Sequence, residues 1–205
     1  AENRSQLEIL ADLSATTVDL IRLRPQHSNS HDGSVPIEQG VALVEHARDM
    51  MLAAACAAVE ARQVFYKRKP TQAMEYLRKV RLGQTEVGSY VVTIRSPVRP
   101  ALKADQLPFG DLEVEDPFER KVTKTLMRAV TAVRDAAERG TATGDLAPFL
   151  ESVPLGVNAN LCDALTSLQE NTEADALSIG ISWAPVRAMR DQVADRVIIS
   201  SDAVP

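Results

Sequence analysis

Six consecutive small residues, Ala53-Ala54-Ala55-Cys56-Ala57-Ala58, constrain this chain more than any other stretch. They close a segment, 35–62, that the sequence predicts as one long helix. Ser34 reads as its N-cap, and Pro36 falls in the first turn, where a missing N–H leaves nothing unpaired. Ile37, Val41, Val44, Met51, Ala55 and Ala58 form an apolar stripe at helical spacing. The alanine run has almost no bulk on any face. The helix is therefore expected at the centre of the fold, approached closely by its neighbours. An exposed helix held by alanine propensity alone is the plainer alternative.

A central helix needs a surface to lie on, and strands with one apolar face supply it. Over 177–183, Leu177, Ile179, Ile181 and Trp183 face one side, while Ser178, Gly180 and Ser182 face the other. Small strand residues admit close backbone approach, so the bare second face is expected to lie under a helix. Failing that, a partner or a second copy of the chain is expected there. Residues 196–200 read as another strand, able to pair with 177–183 as a hairpin. Residues 16–24, with Thr16, Thr17, Val18 and Ile21, favour a strand, and 63–66 a short edge strand.

Residues 71–80 have helical spacing through Met74, Leu77 and Val80. Pro70 sits in the first turn, and Gly83 stands where a positive-φ residue would follow the end. The period then changes to two over 89–95, with Tyr90, Val92 and Ile94 on one face, and Pro97 is expected to stop that strand. A second long helix is expected from Asp116 to Gly140. Pro117 takes its first position, Glu119 completes a capping box, and Phe118, Val122, Leu126, Val130 and Val133 turn inward. Shorter helices are expected at 5–13, 147–151 and 158–170, and loops at 25–34 and 98–115. The whole reads as one α+β domain: a mixed, mostly antiparallel sheet packed against two long helices. The chain stops straight after a strand and opens on Ala1-Glu2, which reads as the N-terminal part of a longer protein.

The formal net charge of −5 argues against a free-standing, non-specific nucleic-acid binder. Positive residues are nevertheless concentrated. Arg62, Lys67, Arg68, Lys69, Arg78, Lys79 and Arg81 fall within one short stretch, and Arg120, Lys121, Lys124 and Arg128 share a helix face. If the two regions adjoin, they form a positive surface suited to phosphates or to an acidic protein face. Two separate solvated helix faces are the plainer alternative. Only Tyr66 and Tyr76 are interleaved with the basic run, which is thin for base stacking.

The leading expectation is a non-catalytic binding or assembly domain, contacting nucleic acid or an acidic protein partner and able to form homo-oligomers. Its binding residues would be Lys67, Arg68, Lys69, Arg78, Arg81, Gln84, Glu86, Arg95, Lys121, Lys124 and Arg128. The alternative is an enzyme acting on a small phosphorylated or nucleotide-like ligand at the Gly83–Ser89 bridge. There Arg81 and Arg95 would clamp the anion and Glu86 would serve as acid or base. The Gly83-to-Gly88 spacing is not a P-loop, since no Gly-Lys-Ser/Thr follows. It is not a dinucleotide fingerprint either, since helix precedes glycines and strand follows. No hydrolase or metalloprotease nucleophile motif occurs. His27, His31 and Asp32 share a polar loop but lack further ligands, so no metal or cofactor is expected. The two cysteines, Cys56 and Cys162, give no disulfide framework and fit a reducing, cytoplasmic compartment, and no apolar run has membrane-spanning length.

Overall fold

The computed structural model describes residues 17–26, 34–83, 90–100, 116–143, 147–185 and 195–200. Among the described residues, five strands make one sheet: β1 (Thr17–Gln26), β2 (Arg81–Leu82), β3 (Val92–Val98), β4 (Ala176–Pro185) and β5 (Asp195–Ser200). Their order is β2-β3-β1-β4-β5, and every pairing is antiparallel. The helices are α1 (Ile37–Val59), α2 (Thr71–Lys79), α3 (Phe118–Thr143), α4 (Ala147–Ser152) and α5 (Ala159–Thr172). The chain is thus α+β, with strands from both ends of the sequence meeting at the sheet centre.

Alternation decides which face is covered. In β1 the side chains of Thr17, Asp19, Ile21 and Leu23 are buried; in β3 those of Val92, Ile94, Ser96 and Val98; in β4 those of Leu177, Ile179 and Ile181. Ile21, Leu23, Val92, Ile94, Leu177, Ile179 and Ile181 join a core with Leu43, Ala47, Met50 and Ala54 of α1, Val122, Leu126 and Val130 of α3, and Leu161, Leu165 and Leu168 of α5. This is the sheet's inner face. The alanine run behaves as expected: Ala53 to Ala57 are at most 7 % exposed, and α1 packs against α2, α3 and α5 at once. Side chains one carbon long let three helices converge on a fourth at close interaxial distance.

Several local expectations need correction. Pro36, not Ser34, is the N-cap of α1, and no side chain bonds there. The buried stripe of α1 runs through Gly40, Leu43, Ala47, Met50 and Ala54, and leaves Ile37 and Val41 in solvent. Residues 63–66 are irregular rather than an edge strand. The Phe65 carbonyl is met by Lys69 Nζ and Asn160 Nδ2, so side chains satisfy it instead of a ladder. Helix α2 ends at Lys79 because Val80 is extended, so Gly83 does not cap it. Gly83 instead prolongs the β2–β3 pairing, its N–H donating to the Thr93 carbonyl at 2.6 Å.

Pro97 does not stop β3, which runs to Val98 with Pro97 opposite Val18. The Gly83 bond shows that Thr93 directs its backbone polar groups toward β2, and Pro97, four residues on, points the same way. Strand β2 has ended there, so the missing donor faces no partner strand. Glu119 makes no capping box; its Oε1 accepts from Arg99 Nε instead. Helix α3 passes through Gly140 to Thr143. The helix expected at 5–13, the loop at 27–33, the bridge at 84–89 and the connector at 101–115 lie outside the described residues.

The small-residue strand face is covered in part: Ser178 is buried, and Gly180 and Ser182 are half-buried. The core joins the helices to the inner-face residues Leu177, Ile179 and Ile181, on the side of β4 opposite Ser178, Gly180 and Ser182. A Cβ added at Gly180 would meet nothing within 4 Å among the described residues.

Candidate functional site

The outer face of the sheet is built by register. One row across the strands reads Arg81, Arg95, Leu20, Ser182. The next reads Thr93, Arg22, Gly180, Arg196, and a third Arg24, Ser178, Ile198. Arginine therefore recurs on β1, β2 and β3 and at a register position of β5, whereas no Asp or Glu occupies an outer position of these rows among the described strands. Arg24, Arg81 and Arg95 are exposed and Arg22 is half-buried, with Leu20 a half-buried apolar centre between them. Like charges directly opposite across strands are destabilising, so the Arg81–Arg95 pair costs the isolated fold something and favours an anionic counterpart. Arg81 is partly satisfied within the chain. Its Nη1 donates to the Arg78 carbonyl at 2.5 Å and to that of Val80 at 3.0 Å, covering acceptors that the end of α2 leaves open. The Arg81–Arg95 clamp drawn from sequence is thus an adjacency in which only Arg95 is uncommitted by a bond described here.

The expected basic surface divides. Lys67 and Arg68 are exposed in the segment before α2, and Lys69 is held on the Phe65 carbonyl. Arg78 and Lys79 stand at the far end of α2, nine residues and ~13 Å away. That far end does adjoin α3. The Tyr76 and Phe118 rings meet edge to face at 6.1 Å, and Lys79 Nζ lies 3.9 Å from Glu119 Oε1. On α3, however, Lys124 is paired with Asp116, Lys121 is half-buried and bonded, and Arg120 turns inward; Arg128 is exposed. A helix face that reads as free charge is mostly used inside the molecule. Gln84 and Glu86 lie outside the described residues, as does the His27/His31/Asp32 loop.

Beneath that junction lies a buried polar network that the sequence reading passed over. Asp19 is fully buried. Its Oδ2 accepts from Arg120 Nε at 3.0 Å and Thr123 Oγ1 at 2.8 Å, and Oδ1 lies 2.9 Å from Arg120 Nη2. Arg120 also donates to Thr17 Oγ1 at 3.2 Å. Burial raises the Asp19 carboxyl above its ordinary value, opposed first by the Arg120 charge and then by the Thr123 hydroxyl. Beside it Tyr76 and Ser96 share a hydrogen bond of 3.0 Å, and burial pushes the Tyr76 phenol well up. Glu119, 2 % exposed, accepts from Arg99 Nε at 2.8 Å. The network ties α3 to β1 through Asp19 and to the residue just after β3 through Arg99. Its signal in the sequence was Asp19 itself, an acid at an inward register position between Thr17 and Ile21. The signal for the outer face was equally plain: Arg22 and Arg24 alternate with Ile21 and Leu23.

The chain matches no family model, no curated protein and no solved structure. Among the described residues, no group of three or more acidic, His or Cys side chains could hold a metal ion, and no helix is long and apolar enough to cross a membrane. Cys56 is buried and Cys162 half-buried, both unbridged, and burial raises both thiols.

Proposed function

We propose that the chain is a binding domain whose arginine-bearing outer sheet face takes an acidic protein partner. The observation that carries this is the outer register itself: arginine on three strands around Leu20, with no acid in the described rows. Arginine is enriched at protein interfaces, and an apolar centre with a charged surround is their usual anatomy. Nucleic acid is the weaker partner. No aromatic stands at a described outer position to stack on a base. The exposed Lys67, Arg68 and Arg128 lie on other elements and extend the positive surface only at its margins. Two unbridged thiols suit a cytoplasmic site of action. No described feature favours catalysis at the Gly83–Ser89 bridge over this reading, since Gly83 is committed to the β-ladder.

The test is fluorescence anisotropy with labelled oligo-glutamate, duplex DNA and single-stranded RNA over a range of salt. Oligo-glutamate should bind best, and Arg24→Glu with Arg95→Glu should weaken it about tenfold or more, ~1.4 kcal/mol. Preferential binding of either nucleic acid, or oligo-glutamate binding untouched by the double reversal, overturns the proposal.

A further inference from the structure

The first turns of α1 leave large apolar side chains in solvent, away from the arginine face. Ile37 is 83 % exposed and Val41 53 % exposed. With Val44 they stand at i, i+4 and i+7, a stripe ~10 Å long on one side of the helix. The stripe borders a groove of about 640 Å³ whose other lining includes Val35, Pro36, Gly40 and Tyr90. The hydroxyl end of Tyr90 approaches the helix at Gly40, where a Cβ would stand 2.7 Å from the phenol oxygen. Burial raises that phenol's pKa above its ordinary value.

We infer that this groove docks a partner's amphipathic helix whose apolar stripe is flanked by lysine or arginine. Three side chains at helical spacing beside a concave wall are what a second apolar helix face fits. Charge selects the partner. Glu45 is the charged residue of the lining, and Glu38, seven positions earlier, stands on the same flank; both are exposed. A second copy of α1 crossing antiparallel would set Glu38 against Glu45, so like charges oppose self-pairing. A basic-flanked helix meets the Glu38 and Glu45 carboxylates along that flank.

Two labelled 14-residue peptides with identical leucine stripes test this, one with lysine at the remaining positions and one with glutamate. The lysine peptide should bind and the glutamate peptide should not. Ile37→Asp, at an exposed first-turn position where an acid suits a helix, should weaken the lysine peptide about tenfold while leaving the circular dichroism spectrum unchanged. Glu38→Lys with Glu45→Lys should transfer preference to the glutamate peptide. Equal binding of the two peptides, binding indifferent to these variants, or no binding overturns the inference. So does concentration-dependent self-association abolished by Ile37→Asp, which would make a second copy the occupant.

Discussion

Replacing Arg120 with alanine should be among the most damaging single changes to this fold. Its side chain is 19 % exposed and the carboxylate it serves is fully buried. Truncation leaves Asp19 in the interior with Thr123 as its remaining described hydrogen-bond donor. Stranding a buried charge in this way costs about 3–5 kcal/mol, and the surviving hydroxyl argues for the lower end, about 3 kcal/mol at neutral pH. The pH dependence distinguishes this from ordinary loss of packing. Asp19 is held above its ordinary value by burial, so its contribution to stability is fully present below the unfolded value near 3.8 and is lost as pH rises through the folded value. Arg120 is the main influence opposing that rise. Its removal pushes the folded value higher and widens the window upward. The deficit of Arg120→Ala, read from urea unfolding at pH 7, 6, 5 and 4, should therefore be largest at pH 7 and shrink on acidification. In wild type against Asp19→Asn, wild type should gain on the variant as pH falls. Asp19→Leu combined with Arg120→Met should lie within about 1 kcal/mol of wild type, since an apolar pair removes both buried charges. A deficit below about 1 kcal/mol, or one that is flat with pH, would refute the reasoning.

Gly180→Val should leave thermal stability unchanged or raise it by about 0.5 kcal/mol, because a strand glycine is entropically costly and its Cβ position is open among the described residues. A loss above 1 kcal/mol would mean that something packs there. Ala54→Leu should destabilise by about 1–3 kcal/mol, since Ala54 is fully buried where helices converge; chemical denaturation measures it. Asn158→Ala should cost about 1 kcal/mol in the same assay. The side chain caps α5 through the Leu161 N–H at 3.2 Å and also holds the Ala61 carbonyl at 3.0 Å.

What could be read from the sequence was whatever depends on period and bulk. The alternation at 177–183 and the alanine run at 53–58 gave a strand and a central helix, because burial of an apolar face dominates both. The ends of elements were less legible, since tertiary contacts decide them. Gly83 could not be told from a helix terminator without Thr93 opposite it, and Pro97 continues a strand only because β2 ends early. Charge was the least legible. Arg120 and Lys124 read as a solvated face, but Asp19 is 101 residues from Arg120 in sequence and Asp116 lies two turns from Lys124. Their commitment is a fact of topology. Arg22 and Arg24 were overlooked because a strand that alternates invites attention to its apolar side.

Arginine footprinting tests the outer sheet face as the interaction surface most directly. The protein would be modified with phenylglyoxal, with and without saturating oligo-glutamate, and each arginine quantified by mass spectrometry. Protection should concentrate at Arg24 and Arg95, with Arg62, Arg68 and Arg128 reacting as before. Protection at Arg68 and Arg128 with Arg24 and Arg95 unchanged would contradict it and move the binding surface to the helices.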